Sequence, residues 1–355
     1  MSFFFFLLAT KMEEEQEEQQ QQERFSDRIT TLTKEDWDEI HNPEKCNALT
    51  VTKLVQYMGL GYDAPYRVLK KPHYNAFVEG LLEYGRSMEE VAVKVIEVFK
   101  EKYKFKSFDV PAKNEIFLST QESDPITDRF RRMSLNLSEE KYMGRPLYGS
   151  PDLLASDEDN KIHVIEIKCP RDTVCLADLE TEEAALALFH EKAYINSKNP
   201  RILKKLFGHA LQACIYAWIL SNGGQDPKMV SKECTLMYFY PDIASNRYMI
   251  IAYDIDWEEI LDSEYGWDLE LVIQDYYKNF IPTAKYNQKP DRILMKLRRG
   301  VYPLLDEKCT VKDLFLKGML RTRMLIAGGE STKEITSYAM GRFLPVQTEQ
   351  RSLEY

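Results

Sequence analysis

The chain lacks an excess of positive charge, a closely spaced cysteine pair and a long apolar run. Asp and Glu number 57 against 47 Lys and Arg, a net charge of -10, which argues against a protein that binds nucleic acid through bulk positive charge. A polyanionic partner must therefore meet a local basic patch. The six cysteines contain no Cys-x-x-Cys pair, which predicts reduced thiols in an intracellular protein of the nucleus or cytoplasm. The opening MSFFFFLLAT is shorter than the roughly 20 residues that span a bilayer, so no membrane association is expected.

The first segment with a clear character is a polar tail. The run KMEEEQEEQQQQER contains one apolar residue, Met12, so burial cannot offset the entropy lost on ordering it. We predict a disordered acidic, Gln-rich tail over residues 1–28, a main domain over 29–290 and a basic helical extension over 291–355. The hydrophobic content of 44% is sufficient to form the core of the main domain.

Within the main domain, helical and strand patterns alternate. Apolar residues recur at helical spacing from Met88 to Tyr103. LYGSPDLLAS and KIHVIEIKCP predict two strands joined by the polar turn DEDN, and PRILKKLFGHALQACIYAWILSN predicts a second long helix. Two further strands are predicted in CTLMYFYP and RYMIIAYDID. This order predicts a mixed α/β fold.

The first strand pair carries a set of charged residues. If the two strands are neighbours, Asp152 lies across from Glu166, and Lys168 shares the face of Glu166 because side chains alternate along a strand. We expect Ile165 and Ile167 to enter the core and the two charged residues to lie on the opposite surface. Two carboxylates beside an ammonium group suit a Mg²⁺ or Mn²⁺ site. The alternative is the charged solvent face of an edge strand.

The long helix offers a further carboxylate. At 100° per residue, Glu89 lies at the flank of the apolar stripe, whereas Glu90 lies on the opposite, solvent-facing side. Glu89 is therefore expected to reach the strand-borne site and Glu90 is not. The alternative for Glu89 is an ordinary boundary residue of an amphipathic helix.

Together, YGRSMEEVA, GSPDLL, IEIKCP and LQACIYAWIL resemble the PD-(D/E)XK nucleases, most closely the YqaJ-type viral recombinases that include phage lambda exonuclease and alkaline exonucleases. The likeness covers about residues 47–256. It implies that residues 29–290 form a nuclease domain with a restriction-endonuclease-like core, a central mixed sheet flanked by helices. It also implies hydrolysis of phosphodiester bonds with two Mg²⁺ ions, for which Mn²⁺ can substitute.

The resemblance assigns roles residue by residue. Metal binding would fall on Glu89, Asp152, Glu166 and the carbonyl of Ile167. Lys168 would activate or orient the attacking water, and Gln212 would help to place Lys168 and the nucleophile, with Tyr216 one helical turn on. The catalytic set is then Asp152, Glu166, Lys168 and Gln212.

Contacts with nucleic acid form a second group. The segment LTVTKLV resembles a segment of these exonucleases in which an Arg binds the 5′ phosphate. Here Lys53 occupies that position, so a guanidinium group that could bind the phosphate through two hydrogen bonds is replaced by a single ammonium charge. Basic residues before Gln212 could supply the local positive surface, or they could be a solvated helix face. The predicted nucleic-acid-binding residues are Lys53, Ser150, Tyr216, Arg201, Lys204 and Lys205.

The resemblance favours an exonuclease acting on the linear ends of double-stranded DNA in recombination or replication. By analogy, a single-strand-annealing protein is a candidate partner, and the oligomeric state stays open. Two alternatives remain: an endonuclease acting on RNA or structured DNA, and a catalytically idle nucleic-acid-binding protein.

Overall fold

This computed structural model describes residues 49–58, 76–109, 147–149, 151–172, 174–222, 227–262, 269, 272–273, 276 and 318–343. The predicted tail over 1–28 lies outside these residues. The strands are β1 (Leu49–Thr50), β2 (Phe105–Asp109), β3 (Leu147–Tyr148), β4 (Leu153–Asp157), β5 (Ile162–Lys168), β6 (Glu233–Asp242), β7 (Arg247–Asp256) and β8 (Met319–Gly328). The helices are α1 (Val51–Tyr57), α2 (Ala76–Val98), α3 (Glu182–Lys192), α4 (Pro200–Asn222), α5 (Trp257–Asp262) and α6 (Lys333–Phe343).

The central sheet is mixed and has six strands in the order β2-β4-β5-β6-β7-β8. Strands β5 and β6 are parallel, and the other neighbouring pairs are antiparallel. Strands β1 and β3 form a separate parallel pair. A parallel pair requires a long crossover connection, which α4 helps to provide between β5 and β6. The predicted mixed α/β fold is confirmed at this level, as are the β4–β5 hairpin and the two long helices.

Helices cover both faces of the sheet. Val164 and Leu236 belong to a core that contains the apolar side of α4, whereas Ile165 and Ile167 belong to a second core with the apolar side of α2. Strand β5 is consequently buried on both faces along Ile162–Ile167, as expected for a strand in a parallel pair. None of the helices in the described ranges has the length and apolar content needed to cross a membrane.

The prediction of a basic helical extension is wrong for Met319–Gly328. This segment is strand β8, which pairs along β7, and its Leu325 and Ala327 enter the core beneath α2. Arg321 and Arg323 contribute to the basic character of the predicted extension, and both pair with the fully buried Asp254 of β7. The charges that favoured a separate extension therefore attach this segment to the sheet.

A buried polar network crosses the sheet at the end where β5 begins. His163 Nε2 lies 2.8 Å from Thr235 Oγ1, and that hydroxyl donates to Asp254 Oδ1 over 2.8 Å. Arg321 and Arg323 donate to the same carboxylate at 2.5 and 2.6 Å. Burial is the main cause that lowers the pKa of His163 to about 4, with Asp254 opposing and the two arginines adding to it. His163 is therefore neutral at pH 7.

Candidate functional site

The β4–β5 hairpin brings the predicted charged residues together. Leu153 is paired with Ile165 in the ladder, and this register places Asp152 opposite Glu166. The backbone N–H of Ile167 donates to Asp152 Oδ2 at 2.9 Å. Lys168 Nζ donates to Glu166 Oε1 and lies 3.8 Å from Asp152 Oδ2. Asp152, Glu166 and Lys168 thus meet at the carboxyl end of β5.

The prediction that Glu166 lies on an open surface is wrong. Its side chain is 0% exposed, and those of Asp152 and Lys168 are 6% and 22% exposed. The face that carries Glu166 is covered by α4, so both faces of β5 are internal. A carboxylate buried in this way needs a nearby cation to balance its charge. The burial of Glu166 also rules out the alternative that this face is the solvated side of an edge strand.

Several acidic groups surround the ammonium group of Lys168. Burial alone would lower the pKa of its ammonium group, but Glu166, Asp152 and Glu89 offset that effect and raise it above the usual value. Lys168 is therefore protonated at neutral pH. In this form it can neutralise negative charge or orient a water molecule, and it cannot accept a proton.

The two neighbouring glutamates of α2 lie in different surroundings. Glu89 is half-buried, and its charge acts on both Lys168 and Cys169, so it borders the cluster. The predicted solvent-facing position of Glu90 is wrong, because Glu90 is buried and its Oε2 accepts a hydrogen bond from Tyr338 Oη at 2.8 Å. Helix α6, which lies within the extension that was predicted to be helical, covers this side of α2.

Gln212 lies on helix α4, on the side of the sheet opposite to α2. Gln212 Nε2 donates to Tyr216 Oη at 3.1 Å, so the tyrosine orients the amide one helical turn before it. Tyr216 itself is 3% exposed. Its ring packs against Gly149 and its hydroxyl accepts the Gln212 hydrogen bond, and the contact with nucleic acid stays a prediction.

Gly149, directly after β3, explains how closely the chain passes between α1 and α4 on its way to β4. A Cβ at this position would lie 2.5 Å from Tyr216 Cε1 and 2.7 Å from Val51 Cγ2. Only a residue without a side chain lets the chain pass between α1 and α4. Three residues later the chain reaches Asp152, so this contact helps to set where Asp152 meets β5.

The predicted nucleic-acid-binding residues divide by exposure. Arg201 and Lys204 are exposed on α4, whereas Lys205 is half-buried, 3.5 Å from Tyr194 Oη. Lys53 is half-buried in the first turn of α1, where its backbone N–H donates to Thr50 Oγ1. Ser150 lies outside the described residues.

His209 is a site residue that sequence reasoning missed. It is buried on α4, and its Nδ1 lies 2.9 Å from Tyr238 Oη of β6. Burial is the main cause that lowers its pKa well below the usual value, and the charges of Lys168 and Lys205 add to it. The available signal was spacing, since residues 205, 209, 212 and 216 share one helical face.

The donor chemistry of the cluster suits a hard divalent cation. Within the described ranges no group of three or more His, Cys, Asp or Glu side chains is arranged as a metal site, so the side-chain donors that meet are two carboxylates. Mg²⁺ is commonly held by one or two carboxylates while keeping several waters. The oxygen-only set of Asp152, Glu166 and the Ile167 carbonyl fits that mode of binding.

Comparisons with family models, curated proteins and solved structures give no match for this chain.

Proposed function

We propose that this protein is a Mg²⁺-dependent nuclease of the PD-(D/E)XK type with a restriction-endonuclease-like core. Its substrate is the linear end of double-stranded DNA, degraded as by the YqaJ-type exonucleases that the sequence resembles. The observation that carries the proposal is the meeting of Asp152, Glu166 and Lys168 beneath α4. Burying three charged groups together is costly for a fold, which supports a chemical role for them.

Asp152, Glu166 and the Ile167 carbonyl would hold the metal, with Glu89 as a further ligand directly or through water. A bound Mg²⁺ would lower the pKa of its water and neutralise charge on the phosphate. Mn²⁺, which has the same preference for oxygen ligands, would substitute for it.

Lys168 contributes a fixed positive charge next to the reacting phosphate. Because acidic neighbours raise its pKa, it stabilises the developing negative charge and orients the attacking water through its N–H donors. Gln212, held by Tyr216, presents a second polar group from α4. These two residues act from different elements on the same reacting centre.

Binding of an acidic protein to DNA requires local positive charge. Arg201 and Lys204 are exposed on the first turns of α4, and Lys205 lies on the same helix nearer to the site. Lys53 lies on α1, whose Val51 adjoins Gly149 on the way to Asp152. Phosphates contacted by these residues would run across the site, and affinity should fall with rising salt.

The test is degradation of linear and covalently closed circular double-stranded DNA by the purified protein with Mg²⁺. We expect loss of the linear form alone, abolished by Lys168→Ala and by Asp152→Asn. Lys232→Ala is the matched control, because Lys232 is 72% exposed and pairs only loosely, at 3.9 Å, with Glu258.

Each other outcome assigns a different function. Cutting of the circle would identify an endonuclease and remove the requirement for an end. If neither DNA is cut, structured RNA is the next substrate. Binding of nucleic acid without hydrolysis of any substrate would sink the nuclease proposal and leave a binding protein.

A further inference from the structure

We propose that His209 is a positioning residue for Lys168 and acts through Tyr238. The kinetic part of this inference rests on the proposed function, whereas its structural part does not. His209 lies one helical turn from Gln212 and one from Lys205, on the face of α4 that covers the site.

Tyr238 connects the helix to the lysine. In the parallel pair of β5 and β6, Lys168 and Tyr238 are Cα partners, so their side chains are neighbours on the same face of the sheet. Tyr238 is almost fully buried in the core beneath α4. Its hydroxyl lies 2.9 Å from His209 Nδ1, which fixes the ring from the helix side.

Tyr238 is also held from its flanks. The ring of Tyr194 lies 4.6 Å from it between centroids, and the ring of Tyr253 lies 6.0 Å away in an edge-on arrangement. Lys205 Nζ lies 5.3 Å from the centre of the Tyr194 ring. Tyr238, the neighbour of Lys168 in the sheet, is therefore part of an aromatic wall that is held in place by His209, Tyr194 and Tyr253.

A rigid wall matters because a lysine side chain is flexible. Four rotatable bonds must be restrained before the ammonium group stays between Asp152 and Glu166. His209 suits this place because it is neutral, so it adds no repulsion toward the ammonium groups of Lys168 and Lys205.

The kinetic test compares three variants with wild type on the substrate identified above. The Asn amide can reproduce a hydrogen bond at the Nδ1 position of His, whereas Phe cannot. We expect His209→Phe and Tyr238→Phe each to lower kcat by roughly 10- to 100-fold with KM little changed, and His209→Asn to retain most of kcat.

Two controls separate positioning from general damage. The double variant His209→Phe/Tyr238→Phe should lose no more than the worse single variant, because both substitutions remove one interaction. His190→Phe, on the exposed face of α3, should leave kcat unchanged. A rise in KM alone, or equal losses in His209→Asn and His209→Phe, would overturn the proposal.

Hydrogen exchange tests the inference without any activity. The Ile167 amide donates to Asp152, which Lys168 also contacts. We expect several-fold faster exchange of this amide in His209→Phe than in His209→Asn, with the amides of β7 unchanged as the reference for global stability. Equal exchange in the two variants would reject positioning by His209. If wild type hydrolyses no nucleic acid, the proposed function fails while this measurement still decides the role of His209.

Discussion

At the scale of single residues, Lys168 acts as the counter-ion of two buried carboxylates. It contacts Glu166 and lies near Asp152, and a divalent cation would compete for the same oxygens. Lys168 therefore stabilises the metal-free fold and opposes metal binding at once. These two effects can be measured separately.

Lys168→Met should destabilise the metal-free protein by on the order of 3 kcal/mol, because it leaves two carboxylates without their cation. Saturating Mg²⁺ should then raise the unfolding midpoint of Lys168→Met more than that of wild type, since bound ligand stabilises the folded state. Thermal unfolding with and without Mg²⁺ measures both effects.

Lys232→Met is the matched control and should behave as wild type. Adding Asp152→Asn to Lys168→Met should remove the response to Mg²⁺. An equal response to Mg²⁺ in wild type and Lys168→Met would contradict a metal site at these carboxylates.

At the scale of elements, the sequence predicts features set by neighbouring residues, and it misses features set by contacts between distant parts of the chain. The turn after Asp157 and the alternation along β5 are local features, and they were sufficient to bring Asp152 to Glu166. The burial of Glu166 depends on α4, and the burial of Glu90 depends on α6, which lies far along the chain. No pattern within a window of neighbouring residues carries such information. His209 differs, because its helical spacing from Gln212 and Tyr216 was a local signal that pointed to the same face of α4.

Gly149→Ala tests how closely the segment after β3 passes between α1 and α4. The added methyl group would overlap the Tyr216 ring and Val51, so we expect a loss of stability of about 1–3 kcal/mol and a displaced Gln212. Denaturant unfolding measures the loss. Gly80→Ala is the matched control: it lies in helix α2 with nothing within 4 Å of the added atom and should stabilise by roughly 0.5–1 kcal/mol.

The buried network across β5, β6, β7 and β8 predicts a dependence of stability on pH. Burial lowers the pKa of His163 from 6.5 to about 4, so below pH 6.5 the unfolded chain binds a proton that the folded protein excludes. Stability is full above that pH, and the His163 contribution should fall by about 2 kcal/mol between pH 7 and pH 5. His163→Gln should remove this part of the slope and leave the part due to the buried His209, whose pKa is also lowered, while His190→Gln, at an exposed position, should keep the whole slope. An unchanged slope in His163→Gln would show that another group causes it.

At the scale of the whole molecule, the last described segment is part of the main fold. Strand β8 pairs along β7, and α6 packs on α2 through Ala339 and the hydrogen bond from Tyr338 to Glu90. The composition of this segment suggested a separate basic extension, because composition shows that the arginines are present but does not show which residue they pair with. The partner, Asp254, lies on another strand.

Truncation after residue 317 should therefore prevent cooperative folding, since it exposes β7 and opens the core beneath α2. Circular dichroism during thermal unfolding should show no sharp transition. Tyr338→Phe, which removes one hydrogen bond to Glu90, should keep the transition at a lower midpoint. A truncated chain with the wild-type midpoint would show that the segment is dispensable.

The parallel pairing of β5 with β6 has a consequence for the order of assembly during synthesis. The β4–β5 hairpin joins neighbouring residues, so Asp152 and Glu166 can meet as soon as that part of the chain has left the ribosome. Helix α4 and strand β6, which complete the surroundings of these residues, pack later. Strand β6 can pair with β5 only after all of α4 has been synthesised. A nascent chain that stops before α4 therefore carries the acidic pair without the helix that bears Gln212 and His209, and one that stops before β6 still lacks Tyr238, the partner of Lys168 in the sheet.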